Sequence, residues 1–228
     1  MNVNGGTVIS NRATGASGSG GGLLTTDGMV DLTDVMIDGN SANRAGGGIE
    51  IVDGTFTMTG TTLQGNDVNG NAGTPMPGNG GGLHVTGVAD ITITNGTITG
   101  NQAASEGGGL WNQTGSTMTV DATLVQSNQA IGAAADNGGG GIFNNGGALI
   151  VQNGSTINMN AATGAAGSGG GIQNVDGGTI SVDNSTITNN TARRAGGGIE
   201  DNSTVTAGTI TLTDVTLEYN FVGPAPGN

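Results

Sequence analysis

The chain contains no cysteine and no lysine among its 228 residues. Without cysteine there are no disulfides, no thiolate nucleophile and no cysteine-ligated metal. Four arginines (Arg12, Arg44, Arg193, Arg194) face 17 acids, for a net charge of −13. Such a surface repels phosphate backbones, so nucleic acid is excluded as a partner. Aromatic residues number five: Phe56, Trp111, Phe143, Tyr219 and Phe221. That is too little bulk for an ordinary core of large side chains. No apolar run is long enough to span a bilayer, so this segment has no means of direct membrane insertion as a helix. The N-terminal residues lack the basic and apolar regions of a secretory signal. What is abundant is glycine, 49 residues. It shows no three-residue period, which excludes collagen, and its density excludes long helices. Disorder and a thin repetitive β architecture remain, and periodicity decides between them.

Three signals repeat. A Gly-Gly-Gly-[Leu/Ile] block ends at Leu23, Ile49, Leu83, Leu110, Ile142, Ile172 and Ile199, at spacings of 26, 34, 27, 32, 30 and 27. An aliphatic residue stands three positions before each of Asn11, Asn40, Asn66, Asn101, Asn128, Asn160, Asn190 and Asn220. Ahead of each complete pair runs an alternating segment, such as Phe56-Thr-Met58 or Ile91-Thr-Ile93. Period-two alternation is the signature of a strand. Three short strands per unit, separated by Gly, Asn and Asp turns, predict an all-β fold. The expected architecture is a right-handed parallel β-helix, a β-solenoid of about seven to eight coils. Residues 1–228 form one domain on this reading, a fragment or stacking subunit of a longer array.

Length variation concentrates between each repeat asparagine and the next triplet, as in Asp67–Asn79 and Gln129–Gly138. One corner therefore carries the loops, and the loop-bearing edge of a solenoid often binds partners. The eight asparagines are expected to stack as a structural ladder, because asparagine tolerates turn conformations and its amide reaches the next rung. A shorter column of Asn112, Asn144, Asn174 and Asp201 should do the same. The triplets imply close backbone approach or positive φ at a corner, but do not explain why three glycines are needed.

Two surfaces are candidate sites. The residue after each triplet's aliphatic should face outward, which places His84, Trp111 and Phe143 on successive rungs. This is a candidate partner face able to stack a sugar ring or another protein, unless a loop covers it. The second is a threonine array: Thr55, Thr57, Thr59, Thr92, Thr94, Thr119, Thr209, Thr211 and Thr213. Flat threonine arrays resemble the ice-binding faces of solenoid antifreeze proteins, though threonine is also a good exposed strand residue and Asp31 and Ile150 interrupt the array. Parallel β-helix lyases and hydrolases of polysaccharides need acids set among basic residues. Here Asp34, Asp214, Asn95 and Asn184 occupy one equivalent turn position and read as turn residues. No catalytic, cofactor-binding or metal-binding residue is assigned; incidental calcium at acidic turns is the only metal role considered.

Taken together, Gly-Gly-Gly-[Ile/Leu] and the trailing aliphatic-x-x-Asn resemble the Gly-Gly-Ala-[Ile/Leu/Val] and Phe-x-x-Asn repeats of bacterial polymorphic outer membrane proteins. The resemblance implies a non-enzymatic, extracellular or cell-surface protein, adhesive or structural, exported through sequence not present here. Its expected partners are a protein or glycan at a cell surface, or neighbouring copies stacked end to end. The alternatives are a self-assembling filament subunit, an ice-binding protein and a polysaccharide lyase or hydrolase.

Overall fold

The computed structural model describes residues 1–134, 136–203 and 208–223. These residues contain no helix, and four parallel sheets make a β-solenoid of about seven turns. Three sheets have eight strands and the fourth has seven. The second coil shows the pattern. Met29–Thr33 lies in the first sheet, Met36–Asp38 in the second, Ser41–Ala42 in the third and Ile49–Ile51 in the fourth. Three of these are the expected strands. The two-residue third sheet, just after the asparagine, is an addition.

Each strand pairs with its counterpart one coil away, so equivalent residues stand side by side. Ile91 pairs with Phe56 on one side and Met118 on the other, and Ile98 stands between Leu63 and Val125. The inward members of the alternating segments, the single aliphatic of the second sheet and the aliphatic after each triplet fill one continuous core. Fully burying a residue of this size stabilises by roughly 1.5–3 kcal/mol. A narrow interior of Ile, Val, Leu and Met thus replaces the aromatic bulk the composition lacks.

The repeat asparagines form a directional ladder. The backbone N–H and Nδ2 of Asn101 both donate to Oδ1 of Asn128, at 3.0 and 2.9 Å. Nδ2 of Asn101 also donates to the carbonyl of Leu63 at 3.0 Å. Leu63 is the aliphatic of the preceding aliphatic-x-x-Asn pair. The same carbonyl bond recurs from Asn40 to Val8, Asn66 to Ile37, Asn128 to Ile98, Asn160 to Val125, Asn190 to Ile157 and Asn220 to Ile187. The motif spacing is therefore a bonding rule: the asparagine of one coil caps the turn of the coil before. The residue preceding each asparagine is left-handed. Ser10, Ser127, Met159, Asn189 and Tyr219 hold φ between 52° and 59° there, and Gly39, Gly65 and Gly100 stand at the same place.

The triplets are the other half of the same device. Gly46 has φ +59°, a left-handed turn that a side chain would strain. Gly47 is not left-handed, but a Cβ there would lie 2.4 Å from the Gly81 carbonyl oxygen and 2.5 Å from that of Asp67. Those are backbone atoms, which cannot step aside. At Gly48 a Cβ would lie 2.7 Å from the Gly82 carbonyl oxygen and 3.0 Å from Cγ of Asn66. So the first glycine turns the chain, the second lets two backbones meet across a thin corner, and the third makes room for the ladder amide. Gly109 and Gly141 meet Asn128 and Asn160 in the same way.

Candidate functional site

The fourth sheet has an inner and an outer face. Its inward residues, such as Leu83, Leu110 and Ile142, belong to the core. Its outward column reads Leu24, Glu50, His84, Trp111, Phe143, Gln173, Glu200, and strand register places these side by side. His84 stacks on Trp111 with ring centroids 4.3 Å apart, and Trp111 lies parallel to Phe143 at 6.1 Å. The expected succession of rings is present, but not as an open platform. Trp111 is 1 % exposed and Phe143 3 %. The loops of the variable corner fold back over the column, and Trp111, Phe143 and Val175 form a second hydrophobic cluster outside the coil.

Polar groups fasten this cover. Glu50 accepts from Arg44 Nη2 at 2.7 Å and faces His84 Nδ1 at 3.0 Å, with the Thr86 hydroxyl also on its carboxylate. His84 Nε2 is buried without a hydrogen-bond partner. Burial pushes the Glu50 carboxyl up, but His84, the Thr86 hydroxyl and Arg44 more than reverse this and hold it below its ordinary value of 4.5. Glu106 is the hub of the cover. Its carboxylate accepts from Trp111 Nε1 at 3.1 Å, Asn79 Nδ2 at 3.0 Å and Asn137 Nδ2 at 3.1 Å. Asn79 ends the longest loop and Asn137 belongs to another, so one carboxylate ties both loops to the ring column. Burial raises Glu106 above its ordinary value, partly offset by these bonds and by His84.

Beyond Phe143 the cover opens into a cleft of about 290 Å³. Phe143, Asn145, Val175 and Asn202 come from the sheet, and Met76, Glu106, Asp136 and Asp176 from the turns and loops around it. Neither Glu106 nor Arg44 was singled out as a site residue by sequence reasoning. One signal was available for Arg44: Arg-Ala-Gly-Gly-Gly-Ile-Glu occurs as Arg44–Glu50 and again as Arg194–Glu200. Both copies close an Arg–Glu ion pair on the outward column, at 2.7 and 2.9 Å. No comparable repetition marks Glu106.

Asn11 and Asn220 stand on the first and last described rungs of the ladder, with Asn40, Asn66, Asn101, Asn128, Asn160 and Asn190 between them. Asn112 donates to Asn144, Asn144 to Asn174 and Asn174 to Asp201, which forms the second, shorter ladder. Thr57, Thr92 and Thr119 align on three rungs, but Asp31 and Ile150 flank them. Thr59 and Thr94 align before Asp121, Thr55 pairs with Asp90, and Thr209, Thr211 and Thr213 lie on the last rung. The array is a set of short patches. Asp34, Asn95, Asn184 and Asp214 adopt φ of 52°, 52°, 42° and 51°, as turn residues do. Among the described residues, no group of three or more His, Cys, Asp or Glu side chains is placed to hold a metal ion. The C-terminal Pro224–Asn228 lies outside the described residues.

The fold and this geometry define the class, a parallel β-helix with a covered outer face. No protein-family model, curated protein or solved structure matches the chain.

Proposed function

We propose that the chain is a non-enzymatic scaffold module of an exported bacterial surface protein, rigid along its axis and adhesive through the loop-bearing corner. The observation that carries this reading is the ladder of asparagines running from Asn11 to Asn220. It commits the buried amides to coil-to-coil bonding, the chemistry of a stiff rod. The repeat resemblance to polymorphic outer membrane proteins points to the same role. To test it, the chain is displayed on a bacterial surface behind a secretion signal and anchor, and adhesion to immobilised matrix proteins and glycans is measured. Retention above that of a loop-deleted variant lacking residues 69–78 supports the reading. Turnover of a polysaccharide by the purified chain overturns it.

A second reading, stacking of copies end to end, draws on the polarity of the ladder. Each asparagine donates to Oδ1 of the next, so a second copy continues the ladder only head to tail, the arrangement that builds open filaments. The last described rung exposes Leu212, Leu217 and Phe221 by 44–48 %. Fibres in electron micrographs would favour this reading, and a monomer at high concentration would count against it.

A further inference from the structure

The cleft beyond Phe143 is a candidate binding site in its own right. Register fixes its floor, because Phe143 and Asn145, Val175, and Asn202 lie on three successive rungs. One face of the Phe143 ring is taken by Trp111. The column neighbour on the other side is Gln173, not a further ring. Met76 and Val175 add apolar surface, and Met76 is 42 % exposed. The polar lining is one-sided: Glu106, Asp136 and Asp176 are present with no arginine or histidine among the lining residues. Glu106 is occupied by three N–H donors, so it supplies charge more than open lone pairs. The Asp136 carboxylate accepts one long bond, from Asn202 at 3.4 Å, while its backbone carbonyl accepts from Gln173. Asp176 is exposed at a left-handed turn, φ +52°.

These features select among ligands. An anion is repelled. Among the described residues no ligand cluster for a metal ion stands here. A neutral sugar is held by donors and acceptors in balance, whereas this lining is weighted to three carboxylates, and the amides of Asn145 and Asn202 each already spend one N–H on Gln113 and Asp136. A cation on an aliphatic stem satisfies all of it. Its methylenes lie against Val175 and Met76, and its charge meets the carboxylates beside an aromatic ring. A cleft of about 290 Å³ suits one such group.

We propose that this cleft binds an alkylammonium or alkylguanidinium group, either the side chain of a lysine or arginine in a partner protein or a free polyamine. The proposal does not depend on export or adhesion. The test titrates the whole chain with spermidine, with a terminally blocked lysine peptide, with its arginine counterpart and with a norleucine peptide of the same sequence. Calorimetry gives affinity, and fluorescence of Trp111, the only tryptophan, reports occupancy beside it. Saturable binding of a cationic probe and none of the norleucine peptide is expected. Asp136→Asn and Asp176→Asn should each weaken it about two- to fivefold, and the pair about tenfold. Asp90→Asn, exposed on the first sheet, should leave affinity unchanged, which separates the cleft from general attraction to a chain of charge −13. Binding confined to spermidine identifies a free amine as the ligand; binding confined to the peptides identifies a partner's side chain. Equal loss in Asp90→Asn, equal binding of norleucine, or no saturable binding of any probe at millimolar concentration would overturn the proposal.

Discussion

The inside and the outside of the fourth sheet obey different rules. Inside, each coil repeats the last: an aliphatic in the core, an asparagine in the ladder, a triplet at the corner. Outside, the same strands carry Leu24, Glu50, His84, Trp111, Phe143, Gln173 and Glu200, and no full-length ladder could be built from them. The interior is bonded by one interaction used again at every rung. The exterior is bonded by single contacts, above all Glu106 to two loops and a ring. Repetition marks what holds the solenoid up. Individuality marks where the proposed recognition would take place.

Changes on the two faces should therefore fail differently. The largest effect belongs to the ladder. Asn101→Leu takes away the acceptor of the Asn66 N–H and the amide donor to the Leu63 carbonyl, and leaves Asn66 Nδ2 with only its bond to Ile37. A loss of about 4 kcal/mol is expected in chemical denaturation, at roughly 1–3 kcal/mol for each of the two groups left without that partner. Gly47→Ala comes next, because its Cβ meets backbone oxygens on two segments. A cost of about 3 kcal/mol is expected by the same measurement. Trp111→Ala should cost about 2 kcal/mol, below the usual range for a buried tryptophan, because the covering loops can settle over the void. Its signature is local. Far-ultraviolet circular dichroism should be unchanged, while amide exchange quickens in residues 69–79 and 131–134. Core-wide loss of protection in Trp111→Ala would erase the distinction between the faces.

The smallest effect is a pH dependence with opposed signs on one face. Glu50 is held below 4.5 in the folded chain, so its contribution is present at neutral pH and is lost as pH falls through that lower value. Glu106 is held above 4.5, so its burial cost is present at neutral pH and is relieved as pH falls through the raised value. The melting temperature should hold or rise on mild acidification and drop only below 4.5. Glu106→Gln should reduce the mild-acid rise, leaving the part due to Asp67, which burial also raises, and Glu50→Gln should soften the acid drop.

The same contrast governs how much could be read from the residues alone. Three of the four strands and the asparagine ladder were legible because each is written again coil after coil, and the turn role of Asp34 and Asp214 because Asn95 and Asn184 stand at the same place. The logic of the triplet was not. Gly48 meets Asn66 and Gly82 meets Asn101, one coil on, so the reason for the third glycine lies on a neighbouring rung and not in its own turn. The outward column was legible in its order, since register follows from the repeat. Its burial was not. Cover comes from loops that have no period, and from Glu106, whose bonds join residues 5, 27 and 31 positions away. The exposed-ring expectation for Trp111 and Phe143 gave way for that reason.

The glycine triplet and the asparagine ladder act as one device. A double-mutant cycle on Gly109→Ala and Asn128→Ala tests it most directly. A Cβ at Gly109 lies 3.1 Å from both Cγ and Nδ2 of Asn128 and 2.7 Å from the Gly141 carbonyl oxygen. Removing the amide should relieve the first clash and not the second. Gly109→Ala should cost less in the Asn128→Ala background, with a coupling of about 1–2 kcal/mol. Strict additivity of the two substitutions would contradict it.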